Sequence, residues 1–195
     1  MINVEIIDNT LLQSRTYILW NREEQDAYLV DCGDIASVHN FLSAKGKSLK
    51  GIFLTHCHYD HIYGLRHLAE EFPQVSIYAS PETEHGLRDA RINLSRYQGE
   101  SFELAEKIKV ILINSHSEIS LFGTELQVLE TPGHDPGCLS FRIGNHLFTG
   151  DSYIPGLSVF YKWKRSDKQL ALENERWLKK LAEDCMWDVY PGHYL

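Results

Sequence analysis

The sequence lacks a run of about 20 apolar residues, which is the length that a membrane-spanning helix needs. Its first residues do not combine a basic segment with an apolar one, as a secretory signal would. Only four cysteines occur, and their wide spacing is not that of a small domain stapled by disulfides. These absences predict a cytoplasmic protein with reduced thiols. We expect the cysteines to serve as packing residues: Cys32, Cys57, Cys138 and Cys185.

Positive charge is also scarce, because 19 Lys and Arg residues face 27 Asp and Glu residues and leave a net charge of −8. An acidic chain is poorly suited to a general nucleic-acid surface. We therefore expect a small-molecule substrate, with neither nucleic acid nor a membrane as partner. The oligomeric state stays open.

The length of 195 residues is close to that of one domain, and 43% of the residues are hydrophobic. A chain of this size can bury roughly 70% of its unfolded surface, so it does not need disulfides to form a core. The sequence has no internal repeat, linker or low-complexity tract. We expect a single domain over residues 1–195.

Short β-branched and alternating segments predict a strand-rich chain with helices between some strands. Asp34 is predicted to cap the first helix, segment 88–104 to form a loop over one face, and segment 131–137, with two prolines and two glycines, to form a turn. The predicted strands are 1–7, 16–20, 27–30, 51–55, 75–79, 109–113, 119–122, 125–130, 139–143, 146–149 and 187–190. The predicted helices are 35–45, 61–71, 81–87 and 167–183.

Metal-binding side chains are concentrated directly after the predicted strand over 51–55. Three histidines and one aspartate occur there within six residues, and imidazole and carboxylate are groups that Zn²⁺ and similar cations prefer. Three further candidates follow, each preceded by glycine. Seven ligands exceed what one tetrahedral ion uses, so the sequence predicts a site for two metals. The candidates are His56, His58, Asp60, His61, His134, Asp151 and His193.

The later candidates all fall close after predicted strands. His134 lies in Thr131-Pro132-Gly133-His134, Asp151 in Thr149-Gly150-Asp151, and His193 in Pro191-Gly192-His193. Groups at strand ends can be collected along one edge of a sheet layer, which is a rigid support for a binding site.

The pattern His56-x-His58-x-Asp60-His61, followed by Gly-His, Gly-Asp and Gly-His, resembles the metallo-β-lactamase-fold hydrolases. The resemblance runs over nearly the whole chain, from Asp31-Cys32-Gly33 to the last histidine. It implies an α/β (α+β) fold, a four-layer αββα sandwich with the metal site along one edge of the sheets.

The same resemblance implies how the ligands are divided. His56, His58 and His134 would hold a first ion, while Asp60, His61 and His193 would hold a second, with Asp151 bridging both. The implied cofactor is two Zn²⁺ per chain, with iron or manganese as alternatives. Asp60 would also orient the attacking water as the catalytic residue. Asp31 would support the metal loop through hydrogen bonds.

A bridging carboxylate, together with segments 92–95, 131–137 and 147–151, resembles the glyoxalase II-like branch in a small form without the C-terminal helical domain. The implied activity is hydrolysis of a small thioester or ester by a metal-activated water. Three alternatives stay open. One is a persulfide dioxygenase-like oxidoreductase with a single iron held by His56, His134 and Asp151. The second is a lactamase- or lactonase-like hydrolase, and the third is a non-catalytic, metal-stabilised binding module.

The segment 152–166 combines aromatic and basic residues just after Asp151. It is expected to form the wall of a pocket for an anionic substrate. A packed loop with solvated lysines is the alternative. The candidate pocket residues are Tyr153, Tyr161, Lys162, Trp163, Lys164 and Arg165.

Overall fold

The computed structural model describes residues 1–194, which form two β-sheets and four α-helices together with short 3₁₀ turns. The strands are β1 (Asn3–Asp8), β2 (Arg15–Trp20), β3 (Asp26–Val30), β4 (Ser48–Phe53), β5 (Ser76–Ala79), β6 (Val110–Leu112), β7 (Ile119–Leu121), β8 (Thr124–Glu130), β9 (Leu139–Ile143), β10 (His146–Gly150) and β11 (Asp188–Pro191). The helices are α1 (Ile35–Lys45), α2 (Leu65–Glu71), α3 (Pro81–Leu87) and α4 (Lys168–Cys185).

The first sheet has the strand order β1-β2-β3-β4-β5-β6, and the second has the order β11-β10-β9-β8-β7. Strands β1 to β3 are antiparallel, whereas β3 to β6 run parallel. Parallel neighbours need a crossover connection, and α1, α2 and α3 supply the three that join β3 to β6. In the second sheet, β7 to β10 are antiparallel, and β11 pairs parallel to β10.

The alternation of side chains along a strand builds the layers, because successive residues face opposite sides of a sheet. In β4, Ile52 packs in the cluster that contains α1 and α2, while Phe53 packs between the two sheets. The ring centroids of Phe53 and Phe141, from opposite sheets, are 5.6 Å apart. In β10, Leu147 packs against Leu178 of α4. The fold is therefore the predicted αββα sandwich.

Two predicted element boundaries are wrong in the segment that carries the metal-binding cluster. Strand β4 ends at Phe53, two residues before the predicted end at Thr55. The backbone N–H of Thr55 donates to the Asp31 carboxylate at 2.8 Å instead of to a neighbouring strand. Helix α2 begins at Leu65 and not at residue 61. The His61 carbonyl accepts from the Cys32 N–H and the Gly64 N–H donates to the Cys32 carbonyl, so these backbone groups are not used in a helix.

The predicted side-chain cap of α1 does not form, whereas α4 has a cap that the sequence analysis did not predict. The Asp34 side chain makes no hydrogen bond to the first turn of α1, because its carboxylate accepts from the Thr10 backbone N–H and hydroxyl at 3.0 Å each. Helix α4 does receive a side-chain cap, since Asp167 Oδ1 accepts from the Leu170 N–H at 3.0 Å.

Cys185, at the end of α4, is exposed, so its predicted packing role is wrong, whereas the other three cysteines are buried. Within residues 1–194, no helix is long and apolar enough to cross a bilayer.

Candidate metal centre

The seven predicted ligands converge on one edge of the sandwich, between the two sheets. The cluster from His56 to His61 follows β4 and passes through a 3₁₀ turn over Tyr59–His61. The other three come from the second sheet: His134 from the turn after β8, Asp151 directly after β10, and His193 two residues after β11. Both sheets therefore contribute to the same site.

The ligand atoms form three groups, of which two share no residue and the third, made of His56, His61 and Asp151, connects them. Those of His56, His58 and His134 all lie within 4.8 Å of one another. The same holds for Asp60, His61 and His193. We call these sets the first triad and the second triad.

The carboxylate of Asp151 lies between the triads. Its Oδ1 is 3.4 Å from His61 Nε2, and its Oδ2 is 3.4 Å from His134 Nε2 and 3.3 Å from His193 Nε2. Ligands about 2.05 Å from a tetrahedral ion stand about 3.3 Å from each other, so these spacings suit coordination. The arrangement fits a site for two metal ions with Asp151 shared between them.

Backbone carbonyls fix the orientation of two ligand rings, one in each triad. His134 Nδ1 donates to the Phe160 carbonyl at 2.7 Å, and His193 Nδ1 donates to the Leu12 carbonyl at 3.0 Å. A neutral imidazole that donates from Nδ1 carries its lone pair on Nε2. Both Nε2 atoms therefore face the centre as acceptors that are ready to bind a cation.

Asp31 orients two further rings, one directly and one through Thr55. Its carboxylate accepts from His61 Nδ1 at 2.9 Å and from the Thr55 hydroxyl at 2.7 Å. Because that hydroxyl donates to Asp31, it accepts from His56 Nδ1, which lies 3.1 Å away. His56 and His61 are thereby left with Nε2 lone pairs directed inwards. Asp31 therefore lies behind the ligand rings, where the sequence analysis predicts a supporting role for it.

Unpaired buried atoms provide a test of whether a cation fits. His56 Nε2 and Asp151 Oδ1 are buried and have no hydrogen-bond partner within residues 1–194. His61 Nε2 and His193 Nε2 lie 3.3 Å apart although each ring already donates from its Nδ1. Converging lone pairs at a buried position are unfavourable without a cation or proton between them. The nitrogen and carboxylate donors suit zinc, iron or manganese.

The pKa values of His56 and His58 shift in the direction opposite to that of His61. Burial lowers the pKa of His56 and His58 well below the ordinary value, and neighbouring imidazoles act in the same direction. Burial acts likewise on His61, but the carboxylates of Asp60 and Asp151 outweigh it and raise the pKa of His61 well above the ordinary value. In the absence of metal, His56 and His58 therefore favour the neutral form, whereas His61 favours the protonated form.

A cleft of about 690 Å³ opens over both triads. Its floor includes ligands of both triads and the shared carboxylate. Most of its walls are apolar or aromatic, and the residues that form them are Leu12, Tyr59, Leu94, Tyr97, Ile154, Leu157, Phe160 and Trp163.

A second cleft of about 560 Å³ adjoins the first. The two share His58, Leu94, Tyr97 and Trp163 as lining residues, so they meet beside the first triad. The second cleft is more highly charged, and its charged lining residues are Asp89, Arg91, Asp135, Lys164 and Arg165. We call these spaces the apolar cleft and the charged cleft.

Three of the six predicted pocket residues line a cleft, and the other three do not. Trp163 lines both clefts, and Lys164 and Arg165 line the charged cleft. The described lining of the two clefts does not include Tyr153, Tyr161 or Lys162. Tyr153 packs against the apolar cluster beneath α4, and the Tyr161 ring lies beneath the Lys168 ammonium group at 5.4 Å.

The segment 88–104 contains cleft residues that sequence reasoning missed. Leu94 and Tyr97 line both clefts. Buried Asn93 anchors the segment by donating to the carbonyls of Gly86 and Phe102 at 3.0 and 2.9 Å. The available signal was that apolar and aromatic residues recur among the charged and polar residues of this segment.

Comparison with known proteins gives a family for this chain. The model of the Metallo-beta-lactamase superfamily matches residues 9–193. The B3 metallo-beta-lactamase BLEG-1 is similar in structure, with 24% identity, a TM-score of 0.82, and coverage of 99% of this chain and 92% of that one. The di-iron-bound form of TTHA1623 has 26% identity and a TM-score of 0.78, with 98% and 93% covered. ETHE1 from Myxococcus xanthus has 20% identity and a TM-score of 0.72, with 99% and 76% covered. This chain belongs to the metallo-beta-lactamase superfamily.

Proposed function

We propose that this protein is a binuclear metal-dependent hydrolase of a small thioester or ester, of the glyoxalase II-like type. The observation that supports this most strongly is the position of Asp151. Its carboxylate oxygens lie 3.3–3.4 Å from imidazole nitrogens of both triads. A carboxylate shared in this way would hold two ions close enough to act on one substrate group. Zinc is the expected metal, and the di-iron form of TTHA1623 keeps iron as an alternative.

Two divalent ions in such a site polarise a carbonyl group and lower the pKa of a bound water. The residues of the chain supply the orientation. Asp60 belongs to the second triad and also lines the apolar cleft, with Oδ2 3.4 Å from His193 Nε2. From there its carboxylate is suited to accept a hydrogen bond from the attacking water. The water adds to the carbonyl carbon, the C–S or C–O bond breaks, and the products are a carboxylate and a thiol or alcohol.

The two clefts support a substrate with unlike ends. Apolar side chains over the triads suit an acyl group, while Lys164 suits an anionic end-group. Arg91 and Arg165 lie in the same cleft beside the carboxylates of Asp89 and Asp135, at 3.3 and 3.5 Å. The chain as a whole carries a net charge of −8, so this cleft would be a local exception to an acidic surface.

The charged cleft can be tested with two thioesters of the same acyl group, one with a neutral thiol and one whose thiol carries a carboxylate. Lys164→Ala should raise the KM for the carboxylate-bearing substrate alone. Lys162→Ala is the matched control, since Lys162 is outside the lining of both clefts. Equal responses of the two variants would contradict an anionic substrate.

Hydrolysis itself is tested with Asp60→Ala and His58→Ala, one from each triad. Each should lose most thioesterase or esterase activity and part of its metal. His67→Ala, at an exposed position on α2, should keep both. Turnover at the wild-type rate in both ligand variants would overturn the assignment.

The alternative that the ligand set also permits is an oxidoreductase with a single iron. His56, His134 and Asp151 would be its ligands, and His134 Nε2 lies 3.4 Å from Asp151 Oδ2. Elemental analysis of the purified protein separates the two. About two zinc ions per chain would support the hydrolase and direct work to ester, thioester, lactam and lactone panels. About one iron, with oxygen consumption in the presence of a persulfide, would support the oxidoreductase.

A further inference from the structure

The loop between β1 and β2 adopts an unfavourable backbone conformation beside the second triad. Leu12 and Gln13 have φ values of 52° and 59°. Two successive residues with side chains in the left-handed region are disfavoured, because Cβ approaches the following carbonyl. Such a conformation persists only where surrounding contacts hold it. The loop, residues 9–14, is held by contacts on two sides.

The loop pairs with the end of the chain that carries His193. The Leu12 carbonyl accepts from His193 Nδ1 at 3.0 Å, and the Gln13 carbonyl accepts from the Tyr194 N–H at 3.2 Å. The backbone N–H of Arg15, where β2 begins, donates to the Gly192 carbonyl at 2.8 Å. The left-handed turn thus presents two consecutive carbonyls to a ligand ring and to the backbone that follows it.

Ser14 connects the same loop to a second ligand. Its side chain is fully buried, and Oγ donates to the Asp60 carbonyl at 2.7 Å. The Ser14 hydroxyl also accepts from Asn9 Nδ2 at 3.1 Å. The peptide group that this hydroxyl holds joins Asp60 to His61, so one hydrogen bond restrains two neighbouring ligands.

A buried polar network extends this support to the partner of His61. Thr16 Oγ1 accepts from the Gly33 N–H at 2.8 Å, and Asn9 Oδ1 accepts from the Asp34 N–H at 3.0 Å. These bonds fix the loop after β3 that presents Asp31, whose carboxylate orients His61. Every member of the second triad is therefore supported from the β1–β2 hairpin.

The first triad has different supports. In the described part of the chain, His56 Nδ1 contacts Thr55, and His134 Nδ1 contacts the Phe160 carbonyl. His58 Nδ1 lies 2.9 Å from His134 Nε2, within the triad itself. The two triads share Asp31, which reaches His56 through Thr55, but the Ser14 hydroxyl and the Leu12 carbonyl contact only the second triad.

We propose that Ser14 is a positioning residue for the second triad, and that the β1–β2 loop determines whether the protein holds one metal ion or two. This inference rests on the two-metal site of the proposed function, although it does not depend on the substrate. Loss of the Ser14 hydroxyl leaves the buried Asp60 carbonyl without this donor and frees the peptide between two ligands. Loss of such an outer partner typically weakens metal binding about 10–100-fold. The affinity for the second ion should fall, and the affinity for the first should stay unchanged.

The test is a zinc titration of the metal-free full chain against a competing chelator, with zinc per chain measured by elemental analysis. Ser14→Ala should keep the first ion at wild-type affinity and bind the second about tenfold or more weakly. Ser95→Ala is the matched control. Ser95 is also fully buried, and its Oγ accepts from the Phe102 N–H at 2.9 Å, so this variant should lose stability and still bind two ions.

A pair of substitutions at exposed Gln13 keeps the test valid if Ser14→Ala fails to fold. Proline cannot adopt a φ near 59°, so Gln13→Pro should displace the Leu12 carbonyl and weaken the second ion alone. Glycine adopts that conformation freely, so Gln13→Gly should keep two ions.

Three outcomes would overturn the proposal: unchanged affinities in Ser14→Ala and Gln13→Pro, parallel loss of both ions, or a wild-type chain that binds only one. A wild-type chain that binds two ions and hydrolyses no substrate would refute the proposed function while leaving this inference intact.

Discussion

His61 Nδ1 donates a hydrogen bond to Asp31 Oδ2 across 2.9 Å, and both side chains are buried. The same carboxylate accepts from the backbone N–H and the hydroxyl of Thr55, at 2.8 and 2.7 Å. Three donors therefore converge on one side chain, which needs two acceptor oxygens to satisfy them. Asp31 also has a φ of 57°, in the left-handed region.

We expect Asp31→Asn to bind the second ion about 10–100-fold more weakly and to lose about 1–3 kcal/mol of stability. Asparagine tolerates the left-handed backbone, but its amide has one acceptor oxygen, so at least one of the three donors would lose its partner. Zinc titration and chemical denaturation measure the two effects. Asp8→Asn is the control, because Asp8 forms an exposed ion pair with Arg15, and such pairs contribute about 0–1 kcal/mol. Wild-type zinc affinity in Asp31→Asn would refute the supporting role.

Gly192→Ala should prevent the site from assembling. A Cβ atom at this position would lie 2.1 Å from Asp151 Oδ1 and 2.9 Å from His61 Cε1. The shared carboxylate would have to move, so metal affinity should fall at least about tenfold and activity should fall with it.

Gly123→Ala is a matched control for this substitution. Its Cβ would meet nothing within 4 Å, although a φ of 72° carries a penalty of about 1–2 kcal/mol. This variant should be less stable and still bind two ions. Equal zinc content in the two variants would show that the close approach at Gly192 does not matter.

Metal uptake should release protons, mainly when the second ion binds. Burial tends to lower the pKa of His61 and His193, but nearby carboxylates outweigh it and raise both above the ordinary value. A proton on either ring must leave before the ion binds. The pKa of His56 and His58 is lowered, so these rings are already neutral near pH 7.

The affinity for the second ion should therefore fall as pH drops below the raised pKa values of His61 and His193, while the first ion responds less. Calorimetry in two buffers with different ionisation heats gives the protons released per ion. Equal release for both ions would contradict the opposite pKa shifts of His56 and His58 on one side and of His61 and His193 on the other.

Trp163→Ala should weaken substrate binding without emptying the metal site. The Trp163 ring centroid is 6.1 Å from that of His58 and 5.4 Å from that of Phe160, and the residue lines both clefts. An aromatic contact of about 1–1.5 kcal/mol corresponds to roughly tenfold in KM. Steady-state kinetics with elemental analysis should show a higher KM, a kcat near wild type and two ions. A fall in kcat together with loss of metal would mean that Trp163 mainly supports His58.

The sequence predicted the fold and the convergence of the ligands because both leave marks in residue types. Histidines and a carboxylate beside glycine at strand ends can be recognised in the sequence. The alternation that directs Ile52 and Phe53 to opposite faces of β4 can be recognised there as well. The reason for Gly192 is visible only in three dimensions, where the side chains of Asp151 and His61 leave no room for a Cβ atom.

The supports of the ligands were largely hidden from sequence reasoning. Leu12 and Phe160 act through backbone carbonyls, which every residue possesses, so their identity gives no signal. Ser14 stands 46 residues before Asp60, outside any motif. The end of β4 was misplaced for a related reason, because Thr55 has a strand-forming side chain but gives its N–H to a distant carboxylate.

Each triad contains side chains that lie far apart along the chain. His58 and His134 are separated by 76 residues, and His61 and His193 by 132. Neither triad exists until the first and second sheets have packed together, so a chain stalled with one sheet formed offers only fragments of a site. Tight metal binding is therefore a property of finished molecules. Chains that fold slowly would therefore stay without metal longest and remain exposed to proteolysis. A scarce metal supply would lengthen this period, so metal availability would affect how much of the protein survives.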